Sequence, residues 1–546
     1  MNEEQNEKKT PEPVSENNNR ASLSIYLIWS VFITGAGVMA AEMAAPRLLA
    51  PSFGTSQLIW TNIIGTVLAA LTLGAFAGGR LADRWPTERA YAAVLVISGL
   101  ALALIPFIAS PFLRWAATAL LEMKIGIFII SLLAVSLFFA PPIFLLGMLG
   151  PWAVRIAGAG RSDLGSVAGI LSALSALGSI VGTFLTSLVI LPLFGTRATL
   201  LTTAAVIAAT GAWKLLASKA NSDDPAKPRE LSSMIFNAII IFFLAAIAAA
   251  PLFFKDAFGP VKSTKGQIFE TESAYQYIEV LKTRSGEKLL LLNEGVAQHS
   301  VLPARGYLTG GYWDHISVIP SMTTNSGDPL KVLILGLAGG TMARGLDHYY
   351  GATRKLAIDG VEIDPAVIEA GNRFFDLKKI PTLTTHAEDA RLFMLSTSSI
   401  YDLIVADAFR QPYIPFHMVT AEFYRECRQR LSAKGAFVIN LGVEKGNKDL
   451  VEAFTATLRS VFPFVHSFVL KNEFFFDNHI YIGSNFDISP ENAARSIRNE
   501  LDIPLAQITA SWREPQALAG SFVFTDDHAP IELFIERMIV EGAFAN

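Results

Sequence analysis

Three groups of residues in the second half of the chain have the types and spacing to hold a nucleoside. Gly336-Leu-Ala-Gly339-Gly340-Thr341 is a glycine-rich turn behind an apolar run. Glycines there let the backbone approach a ligand closely and adopt positive φ. Glu362, in Val361-Glu-Ile-Asp-Pro365, follows Gly340 at the distance, about 20 positions, where an acidic residue grips ribose hydroxyls. A carboxylate can accept from both hydroxyls at once. Asp389, in Glu388-Asp-Ala-Arg391, can accept a hydrogen bond from the exocyclic amine of adenine. Together the three describe an adenosine site. The acids also have a plainer reading as helix caps, because Asp364 and Asp389 each precede a helical stretch. The turn lacks Gly-Lys-Ser/Thr and is no P-loop. A nicotinamide dinucleotide fits the turn alone, but Asp389 points elsewhere.

The elements that must position these residues read as alternating strands and helices. Val332–Gly336 is a buried strand, Thr341–Tyr350 a helix, Leu356–Ile363 a strand and Pro365–Phe375 a helix. Tyr401–Asp407 and Ala436–Asn440 are later strands, with a helix over Ala421–Leu431. That alternation predicts a parallel sheet covered on both faces, with ligands at the carboxyl ends of its strands. Asp407 lies at such an end.

The first half is different in kind. Of 546 residues 51% are hydrophobic, and mean hydropathy is +0.40. Ionisable residues are sparse from about Leu23 to Phe254 and frequent after Lys255. A membrane helix needs about 20 apolar residues. Seven segments qualify, near 24–45, 57–79, 91–112, 126–149, 166–193, 198–217 and 233–254. The first lacks a signal-peptide cleavage site and reads as a true span. Gly178 and Gly182 make a small-xxx-small pair for close helix packing, and Pro141-Pro142 should break the fourth span. Glu42, near the end of the first span, reads as a functional carboxylate or as an interfacial partner of Arg47.

Alternate loops are unequal in charge. The tail and the even-numbered loops carry Lys8, Lys9, Arg20, Arg80, Arg84, Arg89, Arg155, Arg161, Lys214, Lys219, Lys227 and Arg229, against Arg47, Arg114, Lys124 and Arg197 in the others. The positive-inside rule puts the N-terminus in the cytoplasm of a multi-pass inner-membrane protein. Gly79–Arg84 resembles the loop between the second and third helices of major facilitator transporters, over those six residues only. Seven spans then carry the C-terminal half outside, away from the cytosol where a nucleoside donor is made. Either a span is miscounted, or the donor is delivered.

The chain therefore divides into a disordered tail (1–22), a transmembrane helical domain (23–255), a small β-domain with a linking helix (262–325), a Rossmann-like domain (326–486) and a C-terminal tail (487–546). The fold class is a multi-span α-helical membrane domain plus an α/β Rossmann-like domain, of the class I methyltransferase type, with a small N-terminal β-domain. A net charge of −4 gives no basic field for nucleic acid. The single Cys427 excludes an intramolecular disulfide and a thiolate metal cluster, and reads as a packing residue.

The order of the motifs resembles the spermidine synthase family, and its membrane-fused members in particular. The likeness runs through Tyr275-Gln276, Leu292-Asn-Glu-Gly-Val-Ala-Gln298, Gly311-Tyr-Trp-Asp314, Val332–Thr341, Gly360-Val-Glu-Ile-Asp364, Glu388–Arg391 and Val405-Ala-Asp-Ala-Phe409. The resemblance implies aminopropyl transfer from decarboxylated S-adenosylmethionine to an amine acceptor, with no metal. It implies donor contacts from Gln276, Glu362 and Asp389, a base at Asp407 and a pocket tyrosine at Tyr312. The lipid bilayer and a small amine or polyamine are the partners it implies, and it leaves a homodimer open.

This sequence departs from the family pattern at the amine end. The turn reads Leu337-Ala338 where an aspartate is usual, Arg410 stands near a missing gate-loop acid, and Asp314 and Asn440 replace a glutamate and a glutamine. An arginine there can pair with the carboxylate of intact S-adenosylmethionine. Methyl transfer or other sulfonium chemistry thus stays open, as does a transporter or sensor that binds a nucleoside or polyamine without turnover. Thr525-Asp-Asp-His-Ala-Pro-Ile-Glu532 either returns acids to the site or forms a solvated turn.

Overall fold

The computed structural model describes residues 23–53, 57–123, 127–220, 261–293, 295, 297–323, 329–409, 414–445, 447–471, 476–493, 499–531 and 534. The tail before residue 23, the segment near 233–254, Arg410 and Glu532 lie outside the described residues.

Long apolar runs with few charges form helices, in which the peptide groups are satisfied within the segment itself. The helices are α1 (Ile25–Phe53), α2 (Gln57–Arg84), α3 (Glu88–Met123), α4 (Ile127–Phe138), α5 (Ala140–Gly147), α6 (Leu149–Ala157), α7 (Leu164–Leu185) and α8 (Leu191–Ala220). Among the described residues, five helical stretches are long and apolar enough to cross a membrane. The expected segment near 126–149 is broken, with α5 starting on Pro141-Pro142, as rigid φ and a missing N–H dictate. The segments near 166–193 and 198–217 are two helical stretches, as expected, meeting at a kink at Gly195, whose φ of 78° and ψ of 176° are open to glycine.

Small residues set the packing of this bundle. A Cβ on Gly178 or Gly182 would strike the carbonyl oxygens of Phe32 and Ala36, so α7 lies directly on α1. Gly182→Leu is expected to force the two helices apart, at a cost of about 1–3 kcal/mol. The full chain in detergent should unfold several degrees earlier; an unchanged melting temperature would refute the close approach.

The ends of the bundle differ. At one end Tyr26 meets Tyr91 edge to face, Ser30 Oγ donates to Tyr91 Oη (3.1 Å), and Lys214 pairs with Glu88. Arg155 pairs with Asp83 at 2.9 Å, and the Trp152 indole donates to the carbonyl of Trp85. Arg47 lies about 30 Å further along α1, from a rise of about 1.5 Å per residue. There it reaches the β-domain. It forms no ion pair with Glu42 among the described residues.

Four strands form that β-domain: β1 (Gln267–Glu272), β2 (Tyr277–Lys282), β3 (Lys288–Leu292) and β4 (Gln298–Leu302), antiparallel in the order 1-2-3-4. Its inward residues Ile278, Val280 and Leu290 pack on Val367 and Phe375 of the following domain. Two short helices, α9 (Tyr312–Ile316) and α10 (Ile319–Met322), lead on.

The second sheet has seven strands: β5 (Leu330–Leu335), β6 (Leu356–Glu362), β7 (Leu383–Ala387), β8 (Tyr401–Ala406), β9 (Leu431–Glu444), β10 (Phe464–Leu470) and β11 (Phe476–Ser484). Their order is 10-11-9-8-5-6-7. The pairs from β9 to β7 are parallel, and β10 and β11 add antiparallel. Helices α11 (Thr341–Tyr350), α12 (Pro365–Phe374), α13 (Ala390–Ser396), α14 (Ala421–Gln429) and α15 (Lys448–Arg459) connect the strands, and α16 (Asp502–Ser511) follows the sheet. Two separate apolar clusters fill its two faces. Cys427 is fully buried in one of them.

Candidate active site

Parallel strands leave their carboxyl ends open between flanking helices, and the predicted residues gather there. The turn after β5 carries φ of 94° at Gly336 and 82° at Gly340. Gly336 must be glycine for a second reason: a Cβ would strike the backbone of Asp407 and Ala408 at the end of β8. Gly339 donates its N–H to Ser300 Oγ (2.7 Å), anchoring the turn to β4. Ala338 holds a left-handed φ of 48° and donates to Glu362 Oε2 (3.0 Å).

Glu362 ends β6, nearly buried. Its Oε1 accepts from the Asp364 N–H at 3.2 Å. The side chain is thus aimed by two backbone N–H groups from neighbouring strand ends. Asp364 caps α12 through Ala366 N–H (3.0 Å), and its other oxygen accepts from Ser273 Oγ (2.6 Å) and Gln276 Nε2 (3.2 Å). Gln276 is buried, and its Oε1 meets no donor among the described residues. A buried orphan acceptor is costly and calls for a ligand or water donor. Asp389 is the N-cap of α13, where Oδ1 accepts from the N–H groups of Arg391 and Leu392 (2.9 and 3.0 Å). The capping role read from sequence is thus present in both Asp364 and Asp389. The second oxygen of Asp389 lies 4.0 Å from His417 Nε2.

Asp407 stands directly after β8. Tyr312 donates its hydroxyl to Asp407 Oδ2 (2.7 Å), and Asn440 on β9 donates Nδ2 to Oδ1 (3.0 Å). Asn478 on β11 in turn holds Asn440 Oδ1 at 2.9 Å. Burial pushes the Asp407 carboxyl up to about 7, against the lowering effect of the Tyr312 and Asn440 bonds. Burial, with the neighbouring Asp407, raises the Tyr312 hydroxyl well above its ordinary range.

These groups border a cavity of about 700 Å³ whose wall includes His299, Tyr312, Gly336, Ala338, Asp407 and Asn478. Gln276, Glu362 and Asp389 are not in that wall; Glu362 connects to it through Ala338, and Gln276 through Asp364 and Glu362. Asp314, expected in the acceptor pocket, is instead turned behind it. Its carboxylate accepts from the N–H groups of Thr309 (2.9 Å) and Gly310 (2.7 Å), because this buried acid needs donors and the turn before α9 supplies them. Burial raises its pKa. Among the described residues, the acids of the C-terminal tail do not return to the cavity. Asp526 forms a two-pronged pair with Arg391 (2.8 and 2.7 Å), which also binds Glu426.

Sequence reasoning missed Asn478, His299, Lys471 and Gln507, all at the cavity wall. Gln507 on α16 meets His315 Nε2 at 2.6 Å. Asn478 and Gln507 come from the antiparallel edge and the tail helix, where no local motif marks them.

The Spermine/spermidine synthase domain model matches residues 310–472. The polyamine aminopropyltransferase of Thermococcus kodakarensis is 30% identical over 217 residues, 37% of this chain and 70% of that protein. The chain belongs to the spermidine synthase family. The probable polyamine aminopropyl transferase of Bifidobacterium longum is 28% identical over 298 residues, half of this chain, which spans 64% of that protein's length. The crystal structure of a probable spermidine synthase from Corynebacterium glutamicum aligns with 51% of this chain and 95% of its own, at 19% identity and a TM-score of 0.38. In this family member the bonds that hold Asp407 favour its ionised form. Tyr312→Phe removes one of them and is expected to raise the Asp407 pKa above its value near 7. The acid limb of the pH–rate profile should move to higher pH, and activity at pH 7 should fall roughly threefold to tenfold. A limb that stays in place would refute the link.

Proposed function

We propose that the chain transfers an aminopropyl group from decarboxylated S-adenosylmethionine to an amine acceptor. The observation that carries this reading is Asp407: a half-buried carboxyl, held by Tyr312 and Asn440, beside a glycine-rich turn and on the wall of a large cavity. The sulfonium is already an activated leaving group, so the protein must supply alignment and a place for one proton. The amine nitrogen bonds to the aminopropyl carbon, the carbon–sulfur bond breaks, and methylthioadenosine leaves. Asp407 takes the proton from the attacking nitrogen, whose free pKa is about 10.4. In this reading Glu362 accepts from the ribose hydroxyls, Asp389 from adenine through its oxygen not committed to the cap, and Gln276 Oε1 from a donor-substrate group. Tyr312 and Asn440 orient the base.

Ala338 supports a second reading. A methyl group there offers nothing to an ammonium tail, and intact S-adenosylmethionine with methyl transfer follows from a site without that acid. One experiment separates them. The full chain, purified in detergent, is incubated with decarboxylated or intact donor and a set of diamines, and products are read by mass spectrometry. Aminopropylated amine with matching methylthioadenosine is expected. A methylated product with S-adenosylhomocysteine, or binding with no product, would overturn the first reading.

The bundle fits a multi-pass membrane anchor. Outward-facing Leu68, Phe76 and Leu188 are 58%, 65% and 70% exposed, a surface suited to lipid. The contacts of Arg47 support the catalytic half lying at the end away from the arginine-rich loops, outside by the positive-inside rule. An alkaline phosphatase fusion after Asn546 should be active; a fluorescent-protein fusion that glows there would place the domain in the cytoplasm.

A further inference from the structure

Among the described residues, the two halves of the chain meet at a short turn, and that turn is part of the donor side. Between β1 and β2, Ser273 N–H donates to Gln276 O (2.9 Å), while Ser273 Oγ accepts from the N–H groups of Tyr275 and Gln276 (3.0 Å each). This closes a tight four-residue loop. From the bundle, the Arg47 guanidinium at the end of α1 donates to the carbonyls of Ser273 and Ala274. The reciprocal contact comes from Glu272. Its carboxylate accepts from the backbone N–H of Thr196 (3.1 Å) and from the Thr196 hydroxyl, where the helical run resumes after Gly195. Both are charge-assisted bonds, the stronger kind.

From the turn the contacts continue inward. Ser273 Oγ donates to Asp364 Oδ2 (2.6 Å), and Gln276 Nε2 donates to the same oxygen (3.2 Å). Asp364 donates its backbone N–H to Glu362 (3.2 Å). The Gln276 amide is thereby turned so that its Oε1 is the atom left as a buried acceptor. The path from α1 to the side chain of Glu362 runs through Ser273 and Asp364 without a gap.

We propose that Arg47 is a positioning residue for the nucleoside side of the site. By holding the Ser273–Ala274 carbonyls it keeps Gln276 and Asp364 in the register that presents Gln276 Oε1 and Glu362 to the ligand. The helical bundle is therefore a working part of the donor site as well as an anchor. Without the guanidinium the turn has lost its external support, and the entropy of ordering it falls on ligand binding.

This inference rests on the nucleoside reading of the site, and the test keeps the two apart. Methylthioadenosine binding is measured by calorimetry on the full chain in detergent, with steady-state kinetics in parallel. Wild type should bind. Arg47→Met should bind about tenfold more weakly and raise KM for the donor similarly, with kcat within about twofold and the acid limb of the pH profile unmoved. Arg47→Lys should recover part of the affinity. Ser273→Ala should weaken binding from the catalytic side of the contact, and the double variant should lose less than the two single losses combined. If Arg47→Met fails to fold, Arg47→Lys and Ser273→Ala carry the test. Variants that bind like wild type would overturn the positioning role. A wild type that binds no methylthioadenosine would overturn the nucleoside reading itself.

Discussion

Asp407→Asn is expected to lower turnover by about 10²–10⁴-fold, the range supplied by a general base. Methylthioadenosine affinity should stay within about twofold. The change is nearly isosteric and leaves Tyr312 and Asn440 in reach, but it removes the site for the proton released by the attacking amine. In the wild type, kcat/KM should rise with pH up to a limb near 7, because only the ionised carboxylate can accept that proton and burial holds its pKa about there. Stability gives an independent check with a worked sign. The folded pKa of Asp407 is raised above the unfolded value of 3.8. Its stability term is therefore full below 3.8 and is lost as pH rises through about 7. At pH 8 the ionised group is a burden that asparagine does not carry, so the inactive variant should melt no earlier than wild type. Loss of both activity and ligand binding, or a large drop in melting temperature at pH 8, would remove Asp407 from the role of base.

Glu362→Gln is expected to weaken nucleoside binding by about 10–100-fold, as hydrogen bonds to a charged acceptor are lost. The carboxylate accepts from Ala338 and Asp364 at 3.0 and 3.2 Å, and the same two oxygens are those proposed for the ribose. An amide cannot match this, because its NH₂ group faces a backbone N–H on one side or the sugar hydroxyls on the other. The test pairs the variant with a ligand lacking the 2′-hydroxyl. Wild type should discriminate strongly against 2′-deoxy-methylthioadenosine, and the variant should not. A variant that keeps the full preference for the ribose would show that Glu362 does not hold it.

Much of the fold was legible because local pattern and tertiary environment agree. Thr341–Tyr350 is a helix over the predicted span, and β6 and α12 end within a residue of their expected limits. These segments are short, strongly patterned and bounded by Gly or Pro. The strands β10 and β11 left no such mark, since antiparallel pairing at a sheet edge depends on partners distant in sequence. The two segments either side of Gly195 were legible from apolar composition, while the kink that separates them rests on one residue's φ. Asp314 was misplaced for a related reason. Its motif position is local, but its direction was decided by the orphan N–H groups of Thr309 and Gly310.

The sequence by itself determined which chemistry is available. Glycines in a turn, an acid at each of three strand ends and a long apolar half are properties of order and spacing, and short-range sterics and the hydrophobic effect act on them directly. Only the tertiary structure decided what those groups do to one another. Burial gives Asp407 its raised pKa, and Tyr312, 95 positions away, aims it. Arg47 and Ser273, 226 positions apart, meet because helix packing and β-domain packing bring their ends together. Electrostatics and hydrogen bonding at a site depend on distances in space and on excluded water, and one-dimensional spacing carries neither.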